Sequence, residues 1–428
     1  MKPIRIRAAG PPELPVLPSP PASDLRRDFR FDVPLFSPSS AWNQRADLAP
    51  PVPDDDRQVE ELYRMLLGDP TGARPHAPVA AKAYPFPFVN FDERSVPIVR
   101  AGPGASEVRL RSYRGVSTSA NPKIAVDRGR TVIPAPAGPV RPAGPDAPDA
   151  DGDLVVVDEQ ARMEWDFRQA ATAIGPESGA RRGAGCAGAS IVAAGAVDRF
   201  YLGGSGANPP AFYGARAAGT PLLAGLLLPE DVEHGSIEHA LAFAIPALRN
   251  LNRDNPSDPF PSDVVYPAST TEREFVSTSA WAIAAGQRMR LRDVILGEDA
   301  IEIDDEFFAP ITRMFLAALR RYGAYAVDTA PSLTFFAEDV HTARIELDAS
   351  RLNFLIGRPP LAPLPPPALH WRVLMERLSE DLEIVPFAAG RWWEYGPGLR
   401  DPHTARASDA NFEMVAPPRP GLLRRRRG

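Results

Sequence analysis

The sequence predicts a mainly β, α+β fold: an antiparallel β-sandwich or jelly-roll-like core with a few flanking helices and Pro-rich extended arms. Three observations carry this. Fifty of the 428 residues are proline, which breaks helices and cannot donate in a ladder, so connections should be irregular and long helices few. Several short runs alternate apolar and polar residues between turn formers, the pattern of half-buried strands. The regular alternation of strands and helices that a doubly wound parallel sheet requires is missing.

The elements follow in chain order. Pro11-Pro12 to Pro20-Pro21 is polyproline-like and has no core-forming period, so residues 1–28 read as an extended arm. A mainly β core domain is expected over 29–350. Within it, Asp55 to Leu67 reads as a short helix: Asp54, Asp55 and Asp56 load its N-terminus, and Val59, Leu62, Tyr63 and Leu66 form its apolar stripe. Glu107 to Tyr113 alternates as a strand. Leu154 to Asp158 is a buried run, Glu159-Gln160 a turn, and Met163 to Phe167 a returning strand, together a hairpin. Pro134 to Asp151 and residues 170–220, rich in Gly, Ala or Pro, are expected to be long ordered loops.

Ser236 to Pro246 reads as a strand with Ile237, His239, Leu241, Phe243 and Ile245 on one face. A helix is predicted over 310–322, with Pro310 at its start, an apolar stripe from Ile311 to Tyr322 and Gly323 as its stop; the strand Ala324 to Asp328 leaves it directly. The remainder, 351–428, holds a second proline arm, a helical stretch from His370 to Leu378, the aromatic cluster Arg391 to Tyr395 and the basic run Arg424 to Arg427.

Composition excludes some functions. A hydrophobic content of 44% supports a real core, and a net charge of -6 argues against a general nucleic-acid binder, which needs a basic face. The terminal arginines read as a solvated tail. One cysteine, Cys186, allows no intramolecular disulfide and no multi-Cys metal site. Met1 to Arg7 lacks the apolar core of a signal peptide, and no apolar run approaches ~20 residues, so no membrane span is expected.

The motifs are mostly weak. Gly183 to Gly188 matches G-x-G-x-x-G, but no strand precedes it and Asp198 comes too early for a ribose-binding acid, so it reads as a loop. His234, Glu238 and His239 depart from zinc-helix spacings, and neighbouring strand residues point to opposite faces, so no metal is assigned to them. Asp146 to Asp153 spaces acids like a calcium loop but lacks the closing Glu; Ca²⁺ there is the one cation the sequence offers, and no other cofactor is expected.

His239 stands out as a lone imidazole among large apolar side chains. It is either a core histidine satisfied by a carbonyl or carboxylate, or a base or substrate orienter. Its expected partners are Asp166 and Asp328, lone acids on neighbouring strands, each of which also reads as a plain edge or turn acid. Paired carboxylates at ~5–9 Å would serve a glycosidase, and Asp151, Asp153, Glu164, Asp166 and Asp328 are the candidates. Trp42, Trp165, Trp281, Trp392 and Trp393 are core residues or sugar platforms.

Several of these segments, in order, resemble a family of mostly secreted bacterial proteins of uncertain function. The resemblance rests on Ser40-Ala41-Trp42-Asn43, Asp151 to Asp158, Trp165-Asp166-Phe167, Ala217 to Gly225, Gly235 to Phe243 and Tyr322 to Asp328, and covers roughly residues 30–350. It implies secretion and leans toward carbohydrate chemistry. This chain departs from the pattern in lacking a signal peptide and in a longer, glycine-richer 170–215 region.

The expected function is a carbohydrate-active enzyme, a glycoside hydrolase or polysaccharide lyase, that cleaves a polysaccharide by hydrolysis or elimination. Its cleft would be lined by the 154–167 hairpin, the 237–245 strand and the strand ending at Asp328. His239 would be base or orienter, Asp166 and Asp328 the acid/base partners, and Trp165, Tyr325 and Trp42 the substrate-binding rings. The alternatives are a non-enzymatic assembly or surface protein that docks, as a homo-oligomer, through its Pro-rich arms, and a lectin-like module. The expected partner is a polysaccharide or oligosaccharide, with no nucleic acid and no membrane.

Overall fold

A computed structural model describes residues 26–47, 55–67, 88–90, 95–110, 130–137, 141–143, 152–173, 191–208, 214–251, 264–291, 309–330, 333–343 and 382–385. The fold is mainly β with three α-helices among these residues. In chain order the first elements are α1 (Asp55–Leu67), β1 (Phe88–Asn90), β2 (Ile98–Leu110), β3 (Arg130–Pro136), β4 (Leu154–Asp158), β5 (Met163–Arg168), β6 (Ala171–Ala173), β7 (Ile191–Ala194) and β8 (Ala196–Tyr201). Then come α2 (Pro229–His234), β9 (Leu241–Ile245), β10 (Leu248–Arg249), β11 (Val276–Ser277), β12 (Arg288–Leu291), α3 (Ala309–Arg321), β13 (Ala324–Thr329), β14 (Thr334–Phe336) and β15 (Leu382–Val385).

Two large sheets carry the fold. One is six-stranded in the order β1-β14-β9-β13-β12-β15; the other is seven-stranded, β6-β7-β2-β4-β5-β8 with β3 on β2. Both are mixed, which corrects the expected antiparallel core: β9 runs parallel to β13, and β2 runs parallel to both β4 and β7. Parallel neighbours need long crossovers, and partners so far apart in sequence leave no local signal.

The β4–β5 hairpin forms as expected, with Val155 opposite Asp166 and Val157 opposite Glu164. β4 is buried on both faces. Val155 and Val157 join a main core that also takes Leu241 and Phe243 of β9 and Met314 and Phe315 of α3. Leu154 and Val156 turn to a second core with Val99, Ile133 and Phe167. The helices predicted at 55–67 and 310–322 form as α1 and α3, and Phe315 meets Phe335 edge-on at 4.8 Å.

Three features add to the expected outline. Residues 170–220 contain β6, β7 and β8 rather than loops alone; small alanines in these strands hid their alternation. Beyond residue 350, β15 pairs with β12. Arg27, inside the expected arm, is 5% exposed and locked into the core. The regions 359–367, 370–378, 391–395 and 424–427, Gly183 to Gly188 and Asp146 to Asp151 lie outside the described residues. No helix among the described residues is long and apolar enough to cross a membrane.

Candidate functional site

Period two places Glu164 and Asp166 of β5 on one face. Asp166 lies opposite Asp198 of β8 in the antiparallel register, and directly opposed residues share a face. All three carboxyls are 0% exposed. Carboxyls so deep must be protonated, hydrogen-bonded or paired.

The segment 214–228 covers them and supplies the partners. Leu222 N–H donates to Asp166 Oδ2 at 2.8 Å, and Leu223 N–H to Glu164 Oε1 at 2.7 Å. Asn208 Nδ2 donates to Asp198 Oδ2 at 2.5 Å and to Gly219 O at 2.7 Å. Arg216 turns inward and donates to Pro221 O at 2.8 Å, Ala224 O at 2.7 Å and Leu222 O at 2.9 Å. The loop thus points N–H groups at the carboxyls and carbonyls at the guanidinium, which is how a buried loop satisfies its backbone.

Glu164 Oε2 and Asp166 Oδ1 are left buried without a hydrogen-bond partner. Buried, unpartnered carboxyl oxygens favour the protonated form. Burial raises Glu164 to about 7 and, with the Glu164 charge beside it, holds Asp166 well above the usual carboxylate range. Burial also lowers the Arg216 guanidinium, against the pull of Asp328, Asp166, Asp153 and Glu164. Asp153 and Asp328 are half-buried. The cluster therefore grades from a proton-bearing pair inside to acids that reach solvent at its rim.

Of the residues expected at the site, Asp166 and Asp328 both accept from the 214–228 segment, at Leu222 N–H (2.8 Å) and Ala217 N–H (3.5 Å). His239 is bonded elsewhere. It lies in the connection before β9 rather than on a strand, because left-handed Gly235 (φ 70) ends α2 and Ala240 N–H is held by Trp42 O at 2.7 Å, so the ladder starts at Leu241. Its partners are also corrected: Nε2 lies 3.3 Å from Asp231 Oδ2 and Nδ1 lies 3.0 Å from Ala240 O. Burial opposes its charge, but Asp231 outweighs burial and raises its pKa. With both nitrogens engaged, the ring ties α2 to the entry of β9.

The expected substrate rings are placed apart from the carboxyls. Trp42 and Tyr325 are 1% and 0% exposed and pack edge-on at 4.9 Å, so neither offers a face to a sugar. Trp42 Nε1–H donates to Gly206 O at 2.8 Å. Gly225 (φ +70) is pressed against the same ring, where a Cβ would run into Trp42 and Ala242 N. Trp165 is half-buried on the opposite face of β5 from Asp166, with the Arg199 guanidinium 5.7 Å from its ring. Trp281 is 38% exposed, and Arg57 lies over it at 4.7 Å.

Two further polar clusters sit where the N-terminal segment meets the turn after β14. Arg27 bridges Glu230 (2.6 Å) and Glu338 (2.7 Å), and the side chains of all three are at most 1% exposed. Burial works against each charge. Arg27 still rises, held by both carboxylates, and Glu230 falls below its ordinary value through Arg27. Glu338 is raised by burial to about 7. Close by, Asp339 lies between Ser95 and His341.

Glu164 and Glu338 therefore titrate near 7 in the fold, against an ordinary 4.5. Folding takes up protons across that window. Their contribution to stability is fullest below about 4.5 and is lost as pH rises to about 7, by at most ~1.4 kcal/mol per pH unit for each group. Replacing both with glutamine should flatten the urea midpoint between about pH 5 and 7; an unchanged slope would place the proton uptake elsewhere.

The sequence missed Arg216 and Asp198 and named Glu164 only among several acids. Glu164-x-Asp166 at strand spacing was the available signal; nothing marked Arg216. Segment 217–225 covers Asp166, and Ala218 N–H donates to Val327 O of β13 at 2.9 Å. Among the described residues no group of three or more His, Cys, Asp or Glu is arranged to hold a metal ion. Comparison of the chain with models of protein families, with curated proteins and with solved structures gave no match.

Proposed function

We propose that the chain is a carbohydrate-active enzyme that cleaves a polysaccharide by hydrolysis or elimination, with its acid–base centre at Glu164, Asp166 and Asp328 around Arg216. The observation that carries this reading is a pair of fully buried carboxyls on one face of β5, Glu164 and Asp166, both held above the usual carboxylate range by burial, beside half-buried Asp153 and Asp328. Glycosidic cleavage needs a proton for the leaving oxygen and a second group as base or nucleophile. An acid that keeps its proton near neutral pH suits the first task, and a rim carboxylate suits the second. Arg216 supplies fixed positive charge to the same centre. In this reading the two mixed sheets, which share one core, are the layers of a sandwich, and His239 is structural. The segments shared with the mostly secreted family support the lean toward carbohydrate.

The test is a polysaccharide panel read for reducing ends and for the absorbance of unsaturated products. Asp166→Asn keeps an acceptor for Leu222 N–H, so the fold should hold while cleavage falls about 100-fold or more. His239→Ala should still cleave. An Asp166→Asn protein as active as the wild type would sink this reading.

One observation favours the second reading, an assembly or surface protein docking through its arms: Arg27 fixes the root of the N-terminal arm at one point of the core. Removing residues 1–25 leaves that anchor in place. Loss of an oligomer on size exclusion would support assembly, and an unchanged monomer that still cleaves would support the enzyme.

A further inference from the structure

We propose that His341 is a general base armed by an anionic ligand: a substrate carboxylate that draws Arg141 off the ring lets it take the tautomer whose Nε2 accepts a proton. The inference rests on the polysaccharide-cleaving reading and narrows its substrate to a uronate-bearing chain cleaved by elimination.

Asp339 is 3% exposed and held on two sides. Ser95 Oγ donates to its Oδ2 at 2.6 Å, and the His341 backbone N–H donates to its Oδ1 at 2.8 Å. That same Oδ1 lies 2.9 Å from His341 Nδ1, and Arg141 Nη1 lies 2.7 Å from the same nitrogen. A guanidinium only donates, and an ionised carboxylate only accepts. One nitrogen of a neutral ring cannot serve both.

While Arg141 stays, Nδ1 is the acceptor and the ring proton is on Nε2. When Arg141 leaves, Nδ1–H donates to Asp339 and Nε2 carries the lone pair. The exchange is balanced: Nε2 gives a proton to water, and Nδ1 takes one. Nε2 makes no hydrogen bond among the described residues, and the His341 side chain is 27% exposed.

The position fits the proposed site. Ala143 N–H, two residues after Arg141, donates to Asp153 O at 2.9 Å. Ile98 N–H of β2, the neighbour of β4, donates to Thr342 Oγ1 at 3.1 Å. His341 and Arg141 thus flank the Asp153 end of the carboxyl cluster.

Elimination from a uronate uses such a pair. Arg141 neutralises the sugar carboxylate, which acidifies the adjacent C–H. His341 Nε2 takes that proton, and the resulting imidazolium is held by Asp339. The C–H electron pair becomes the new C=C bond as the C–O bond breaks, and the leaving oxygen receives a proton from water.

The experiment is side-chain ¹⁵N NMR of the full chain with labelled histidine, the His341 signals being assigned by their loss in His341→Gln. The free wild type should show the Nε2–H form. Arg141→Met should show Nδ1–H with no ligand present. Trigalacturonate should move the wild type to Nδ1–H, and cellotriose should not. Nδ1–H in the free wild type, or Nε2–H retained in Arg141→Met, would overturn the proposal. Nε2–H retained under millimolar trigalacturonate would overturn the uronate assignment. Cleavage that depends on Asp166 alongside any of these would leave the polysaccharide reading standing.

Discussion

Arg216→Met is expected to lower folding stability by about 2–6 kcal/mol, the largest effect of any single substitution in the carboxyl cluster. Methionine fills a similar volume, so the loss comes from polar groups rather than a cavity. Pro221 O keeps the Ala224 N–H at 3.3 Å, while Leu222 O and Ala224 O lose their guanidinium donors. Each orphaned carbonyl costs roughly 1–3 kcal/mol. The Glu164–Asp166 pair also loses its nearby positive charge. Urea unfolding followed by tryptophan fluorescence measures the change, since Gly225 abuts the buried Trp42. A midpoint shift with unchanged slope would report stability alone. A loss under about 1 kcal/mol would mean that the segment finds other donors, and the bracing role would be wrong.

Arg27→Met should cost about 3–5 kcal/mol, the usual result of leaving a buried charge without its counterion. The guanidinium lies against both Glu230 and Glu338, and Phe29 and Phe31 stack on it at 5.2 and 4.9 Å. Without it two carboxyls face each other in the interior. Glu338→Gln in the same chain should recover part of the loss, giving a coupling of about 1 kcal/mol or more in a double-mutant cycle. Strict additivity would mean that the ions act independently. The same reasoning makes removal of residues 1–28 a destabilising truncation, whereas removal of 1–25 spares Arg27.

Local pattern made α1, α3, the β4–β5 hairpin and β13 legible, because each carries its own period and stop signals. It could not show that β9 would lie parallel to β13 or that β15 would complete the sheet, since those pairings depend on residues far away. Asp166 and Asp328 were legible as lone acids on apolar strands, and both accept N–H groups of the 214–228 segment. Arg216 was not, because an arginine that braces carbonyls is defined by a loop path rather than by a neighbour in sequence. His239 misled because the alternation runs on before the strand begins; the left-handed turn at Gly235 and the hold of Trp42 on Ala240 fix where pairing starts.

The ion pair between Arg27 and Glu338 joins residues 311 apart. At synthesis rates of about 5–20 residues per second, Arg27 leaves the ribosome roughly 15–60 s before its partner exists. β15, from residues 382–385, arrives later still. The interior of this protein is therefore sealed from both ends and late, and a nascent chain halted anywhere in its first three quarters holds an Arg27 that has not yet met Glu338.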